Sequence, residues 1–214
     1  MNRQSKGDRT RADILALAME ASTIHGLHSL TIGKLSSVLG MSRSGLLSHF
    51  GTKEELQLAV VEYARKGFVE DVFESTDSKE HGLERLASLF QNWMKIVAVK
   101  GREGGCFFIK AFHETSSEDG RLHKRLSEIG SEFESVFERE ARLAVRLGEL
   151  RQDAKPEVLT FYLAATVEGI QLRKNLFNEP TLNEFGMERI LTILRFYATT
   201  TGKSVLANLQ VEKD

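Results

Sequence analysis

The sequence predicts an all-α protein of about nine helices, and three observations support this fold class. The 214 residues include only two prolines, Pro156 and Pro180, so long stretches contain nothing that breaks a helix. Apolar residues recur three and four positions apart along most of the chain, which is the spacing of one helix face. Val, Ile and Thr do not alternate with polar residues over runs of strand length.

The first four helices are short or of moderate length and follow closely on one another. Thr10 and Asp13 resemble a capping box for helix one, and Gly26 is suited to end it. Thr31 is suited to cap helix two, and Gly40 interrupts that helix. We therefore expect the first three helices at about residues 10–25, 32–39 and 43–49. A second capping box at 52–55 predicts that the fourth helix begins at about residue 53.

Five further helices follow in the second part of the chain. They are expected at about residues 83–97, 106–115, 122–144, 156–177, and from after Pro180 to about 201. The polar tail from Lys203 is expected to fray. Apolar residues in the last two helices do not fit one narrow stripe, so we expect both helices to be buried on more than one side. A second copy of the chain is the simplest partner, which predicts a homodimer through helices eight and nine.

Charge is distributed unevenly, although the whole chain carries a net charge of only −1. Residues 1–53 have a net charge of +4, which leaves −5 for the remainder. A cationic first part on an acidic body suggests that only the first part meets a polyanion.

Several classes of protein are disfavoured by composition. No apolar run approaches the roughly 18–20 residues that a membrane span requires, and residues 1–11 lack the apolar segment of a secretory signal. We therefore expect a cytoplasmic protein without a membrane partner. Cys106 is the single cysteine, which excludes an intrachain disulfide; a buried, inert thiol is favoured over a redox sensor.

Two short helices joined by a turn at Gly40 and Met41 have the dimensions of a helix-turn-helix. After the turn, Leu46, Leu47 and Phe50 are expected to pack inward. Short polar side chains near a helix N-terminus suit close approach to phosphates and base edges. The candidate DNA-binding residues are Thr31, Ser42, Arg43, Ser44, Gly45, Ser48, His49 and Lys53.

Each of these candidates also has a simpler interpretation. Arg43 can pair with guanine through two hydrogen bonds, or it can be a solvated surface residue. Thr31 and Lys53 are candidates for phosphate contacts, although Thr31 can serve as a helix cap alone. His49 can contact a phosphate or pack beside Phe50. A basic arm can touch DNA or simply be solvated, and it consists of Arg3, Lys6, Arg9 and Arg11.

An ordered series of residues between about 9 and 60 resembles the TetR family of transcription regulators. The matching elements are Ile14-Leu15, Ala18, Gly26, Leu30-Thr31-Ile32, Leu35-Ser36, Gly40-Met41-Ser42, Leu46, His49-Phe50 and Lys53-Glu54-Glu55-Leu56. The resemblance implies a helix-turn-helix DNA-binding domain over 1–53 and a ligand-binding and dimerisation domain over 54–214. It also implies a repressor that a small-molecule effector releases from double-stranded operator DNA.

Two positions depart from the family pattern. The family usually carries Tyr, which typically contacts a DNA phosphate, where this chain has Leu47, and Ala where it has Ser36. Leu47 leaves open a second interpretation, a helical adaptor that has lost sequence-specific DNA binding. An enzyme is disfavoured because nucleotide-binding, nucleophile and zinc-protease motifs do not occur, and no cofactor is expected.

The body offers candidates for an effector site, because apolar walls with a few polar groups are how such pockets orient ligands. They are Trp93, Phe108, Phe112, His113, Phe137, Tyr162 and Glu168. Aromatic residues at helical spacing are more often ordinary core, so packing is the simpler interpretation of each. His113, Glu114 and His123 do not have the spacing of a standard metal site, and no metal is expected.

Overall fold

The computed structural model describes residues 6–98, 104–177 and 182–209, and across these ranges it forms ten α-helices and no sheet. The helices are α1 (Lys6–His25), α2 (Ile32–Val38), α3 (Arg43–Phe50), α4 (Lys53–Phe68), α5 (Leu83–Ala98), α6 (Phe107–Glu114), α7 (Arg121–Arg146), α8 (Pro156–Phe177), α9 (Leu182–Tyr197) and α10 (Thr200–Ala207). The all-α prediction is confirmed, with ten helices in place of about nine. None of the helices in these ranges has both the length and the apolar character needed to span a membrane.

The additional helix arises because the chain leaves α9 at Tyr197, where one helix was expected to continue to about residue 201. Ala198 pairs with Leu150 in an isolated antiparallel bridge. The Thr199 side chain then caps α10 by accepting a hydrogen bond from the amide of Gly202 at 3.2 Å. The bridge joins segments about fifty residues apart, so helical spacing within one segment does not reveal it.

Two other helix boundaries also differ from the predictions. The first helix begins at Lys6, so Thr10 lies inside it and is not its cap. No proline lies between these two positions, so the sequence does not force the helix to begin as late as Thr10. The tail expected to fray from Lys203 is helical through α10, where Leu206 is buried and anchors the segment.

The helices divide into two units, Met1–Phe68 with Gly101–Ile129, and Val69–Lys100 with Gly130–Asp214. In the first unit, α1 packs against α4 and α6, and α3 packs against α2 and α4. Its buried apolar residues include Ile14, Leu15, Ala18, Leu35, Leu46, Leu56, Val60 and Phe108. The predicted functional boundary after residue 53 stays a prediction.

The second unit is built around α5, which contacts α8, α9 and α10. A stack of aromatic rings fills part of its core. The centroids of Phe90 and Phe137 lie 4.6 Å apart, and Trp93 stacks on Phe137 at 5.6 Å. Phe73 comes from a π-helical turn at Val69–Phe73 and meets Phe137 edge-on at 5.7 Å. Such pairs contribute about 0.5–1.5 kcal/mol beyond the burial of their area.

A buried carboxylate secures the N-terminal end of α5. Glu140 on α7 is fully buried and accepts hydrogen bonds from the amide of Gly82 at 3.1 Å and from Arg139 at 3.0 Å. Nδ1 of His81 lies 3.0 Å from the same carboxylate. Burial by itself would raise the pKa of Glu140, but these hydrogen bonds hold that pKa below its usual value. The resulting stability is therefore present above the unfolded-state pKa and is lost as pH falls through the folded-state pKa.

We expect Glu140→Gln to lower the free energy of unfolding at pH 7 by about 1–3 kcal/mol, because a buried charged acceptor is lost. The difference from wild type should shrink towards pH 3, where the wild-type carboxyl also loses its charge. Urea denaturation at both pH values measures it. Glu138→Gln is the matched control, because Glu138 is partly exposed on the same helix and lies 3.5 Å from Arg142. Equal losses in the two variants would contradict the prediction.

Candidate nucleic-acid interface

A tight turn connects α2 to α3. Thr31 precedes α2 in extended backbone, and its hydroxyl accepts a hydrogen bond from the amide of Lys34 at 3.2 Å. The chain reverses at Gly40, whose φ of 62° is a conformation that glycine adopts at little cost. The amide of Met41 then donates to the carbonyl of Ser36 at 3.0 Å. This arrangement of two short helices and a turn is a helix-turn-helix.

Serine hydroxyls organise the start of α3. Ser42 is the N-cap and accepts a hydrogen bond from the amide of Gly45 at 3.0 Å. The hydroxyls of Ser42 and Ser44 lie 3.2 Å apart, and the Ser48 hydroxyl donates to the carbonyl of Gly45 at 2.7 Å. A hydroxyl that donates once still has lone pairs that accept. Ser42 therefore serves as a cap, whereas Ser44 and Ser48 remain exposed and able to accept hydrogen bonds.

One side of α3 is buried and the opposite side is exposed. Leu46 and Phe50 are buried, and the Arg11 guanidinium lies 4.8 Å from the centre of the Phe50 ring. Residues at positions i, i+1, i+4 and i+5 share one face of a helix. On α3 the residues at these positions are exposed, and they are Arg43, Ser44, Leu47 and Ser48.

Leu47 and His49 are two residues of α3 whose burial bears on the predictions, and one of them differs from its prediction. Leu47 was expected to pack inward, but it is 37% exposed. The reason is geometric, since Leu46 and Phe50 already occupy the inward face and the next residue is rotated by about 100° around the helix. His49 is partly buried, and its ring lies 6.2 Å from that of Phe50, which is the packing that the sequence offered as the alternative to a phosphate contact. A phosphate contact by His49 stays a prediction.

Arg43 packs against a glycine of the preceding helix. A Cβ atom at Gly33 would lie 3.3 Å from Nη2 of Arg43, so a larger side chain there would press on the guanidinium. Gly33 therefore leaves room for the guanidinium of Arg43 beside α2. Gly33 was not predicted as a site residue, because a glycine inside a helix gives no local signal of what lies against it.

The stretch of chain that contains α2 and α3 carries no acidic residue. From residue 21 to residue 53 the chain contains no Asp or Glu. Lys34, in the first turn of α2, is exposed and was not among the predicted site residues; its position three residues after Thr31 was the available signal. Nζ of Lys53 donates to the carbonyl of His28 at 2.9 Å and is also exposed. The ammonium of Lys53 keeps two further donors for a phosphate.

The effector-site candidates in the first unit lie on or next to α6. Phe108 is buried, and its ring lies 5.6 Å from that of Phe112, whereas His113 is exposed. In the part of the chain that the structure describes, no three His, Cys, Asp or Glu side chains are grouped as metal ligands. The carboxylate of Glu114 accepts a hydrogen bond from the backbone amide of Leu27.

The remaining effector-site candidates belong to the second unit. Trp93 and Phe137 stack on each other in the core, whereas Tyr162 on α8 is 47% exposed and Glu168 is partly buried. The structure therefore brings together one pair in each unit, Phe108 with Phe112 and Trp93 with Phe137. A role of these residues in effector binding stays a prediction.

Helix α6 holds the C-terminal end of α1. Nζ of Lys110 donates to the carbonyl of Ile24 at 2.5 Å, and the Glu114 carboxylate accepts a hydrogen bond from the amide of Leu27 at 2.8 Å. Gly26 lies between these contacts with φ of 90°, and a Cβ atom there would be 2.2 Å from Glu114. Both bonds satisfy backbone groups where α1 ends. A displacement of α6 would therefore disturb the segment that leads from α1 into α2.

Two models of protein families match the chain. Residues 14–60 match the bacterial regulatory proteins of the tetR family, and residues 82–190 match the tetracyclin repressor-like C-terminal domain. The chain belongs to the TetR family. It is a DNA-binding transcription regulator, with α2 and α3 forming the helix-turn-helix of the family.

Similar proteins span nearly the whole TetR-family chain. The nucleoid occlusion factor SlmA of Vibrio vulnificus strain YJ016 is 26% identical over 187 residues, which cover 84% of this chain and 92% of that protein. A TetR regulator from Chloroflexus aurantiacus has the same fold, with a TM-score of 0.81, 20% identity, and coverage of 90% of this chain and 98% of that one. The structure of AibR in complex with isovaleryl coenzyme A and operator DNA has a TM-score of 0.67 and 20% identity. The similarity covers 84% of this chain and 95% of the AibR chain.

Proposed function

We propose that this TetR-family protein is a repressor that binds operator DNA as a homodimer and leaves it when a small-molecule effector binds. The observation that carries the DNA-binding part is the exposed face of α3. On it Arg43 lies between Ser42 and Ser44 in the sequence, and no acidic residue occurs from residue 21 to residue 53. The major groove admits a helix of this kind, and Arg43 is suited to bind guanine. Thr31, Lys34 and Lys53 are suited to bind the flanking phosphates.

We assign dimerisation to α8 and α9, because both helices expose large apolar side chains. The exposed residues are Val158, Phe161, Tyr162, Leu172, Leu176 and Phe177 on α8, and Phe185 and Phe196 on α9. Apolar side chains concentrated in this way on two helices mark an interaction surface. Tyr162 belongs to this set, and we therefore favour an interface role for it over the predicted effector contact. Binding to two successive major grooves would require the two α3 helices of a dimer to lie about 34–36 Å apart, one turn of DNA, or further apart on a longer operator.

The contacts between α6 and α1 support release by an effector. Phe108 and Phe112 are on the same helix as Lys110 and Glu114, so a ligand that displaces α6 would strain the end of α1. Such a ligand lowers the affinity for operator DNA by the ratio of its own affinities for the released and the DNA-binding states of the protein. Bound operator DNA lowers the affinity for the ligand by the same factor. AibR, whose structure contains both isovaleryl coenzyme A and operator DNA, supports by analogy that a protein of this fold binds ligands of both kinds. The absence of enzymatic activity and the cytoplasmic location stay predictions from the sequence.

Selection of binding sites from fragmented genomic DNA of the source organism tests the proposal. We expect a near-palindromic site that the protein binds as a dimer and that outcompetes unrelated DNA. Because phosphate contacts release counterions, affinity should fall by about 10³–10⁵ between 50 and 200 mM salt if six to ten phosphates are contacted. Failure to enrich any site across the genome would contradict the proposal and favour the adaptor interpretation.

A further inference from the structure

Leu47 is the one apolar side chain on the exposed face of α3. Its neighbours on that face are Arg43, four residues before it, and the short side chains of Ser44 and Ser48. Leu47 is 37% exposed, although the inward positions of the same helix are filled by Leu46 and Phe50. A leucine that projects past two serines is poorly placed to be buried within its own unit, and well placed to contact whatever α3 binds.

The chemistry of the side chain restricts what it can bind on DNA. Leucine has no hydrogen-bonding group, so it cannot replace the water around a phosphate oxygen. Against the donors and acceptors of adenine, guanine or cytosine it would desolvate polar groups without pairing them. The apolar group that the major groove presents is the C5-methyl of thymine, with which aliphatic side chains make favourable contact.

We infer that Leu47 is a specificity-determining residue that selects thymine through its C5-methyl group. This inference rests on the proposed function, and it names one base of the operator that α3 recognises. Arg43 and Leu47 are one turn apart, about 6 Å along the helix, which corresponds to roughly two base-pair steps. The selected half-site therefore contains this thymine within about three base pairs of the guanine that Arg43 binds.

Replacing each thymine of the selected operator in turn by deoxyuridine tests the inference, because this removes the methyl group and leaves the hydrogen-bonding edge unchanged. We expect one symmetry-related pair of positions at which wild-type affinity falls roughly two- to fivefold per methyl group. Leu47→Ala should bind the thymine operator more weakly and show no further loss with deoxyuridine at that pair. Val38→Ala is the matched control, because Val38 is an apolar side chain on α2 that is 74% exposed, and it should keep the full methyl dependence.

A failure of the thymine assignment can be distinguished from a failure of the proposed function. If the protein selects an operator but tolerates deoxyuridine at every position, or if Leu47→Ala keeps the wild-type loss, the thymine assignment is overturned and operator binding stands. If no operator is selected at all, the proposed function fails and the assignment fails with it.

Discussion

Arg43→Ala is expected to lower the affinity for the selected operator by on the order of 10²-fold or more. An arginine that binds guanine through two hydrogen bonds contributes about 1–3 kcal/mol, and a two-fold dimer places two of them on one operator, which makes about 2–6 kcal/mol. The folded structure should tolerate the change, since Arg43 is exposed and surface substitutions usually alter stability by less than about 0.5 kcal/mol. Fluorescence anisotropy titrations at several salt concentrations measure both the affinity and its salt dependence.

The salt dependence distinguishes a base contact from a phosphate contact. If Arg43 binds a base edge, the variant should lose discrimination at one base pair while the slope of log affinity against log salt changes little. If it binds a phosphate, affinity falls uniformly over all sequences and the slope falls by about one for each arginine. Arg146→Ala is the control, because it removes the same charge from an exposed position at the end of α7. Operator affinity within twofold of wild type for Arg43→Ala would count against the recognition helix we assign.

The helices could be predicted largely from the sequence, since the spacing of apolar residues and the capping residues are local properties of the chain. Thr31 and Ser42 cap α2 and α3 as expected, and Gly40 makes the turn. The end of α9 could not be predicted in this way, because the pairing of Ala198 with Leu150 depends on a segment distant in the sequence.

The candidate site was predicted in part. Arg43 and its serine neighbours are exposed as expected, because hydroxyl and guanidinium groups rarely pack inward. Leu47 was assigned to the core from its apolar character alone, whereas the rotation per residue along α3 places it outside. Gly33 was missed because its importance lies in the arginine that packs against it, which only three-dimensional contacts reveal.

Replacing Phe161 and Leu172 together by Glu is expected to convert the proposed dimer to monomers. The two side chains are 68% and 67% exposed and lie eleven residues apart, three turns along one face of α8. An uncompensated buried charge costs about 3–5 kcal/mol, and a two-fold interface would contain four of them. A monomer engages a single half-site, so operator affinity should also fall by at least about 10²-fold. Sedimentation equilibrium and operator titration measure the two effects.

Leu147→Glu is the matched control for this variant. Leu147 is also an exposed leucine, at 58%, but it follows α7 and lies outside α8 and α9, so its substitution should leave the dimer intact. Because some dimeric proteins have no stable folded monomer, helix content is followed by circular dichroism in each sample. If the charged variant unfolds, Phe161→Ala with Leu172→Ala removes apolar area without adding charge, and should raise the dimer dissociation constant while the helices remain. A wild-type dissociation constant in either folded variant would show that the exposed residues of α8 do not form the dimer interface, and dimerisation would then require another surface of the chain.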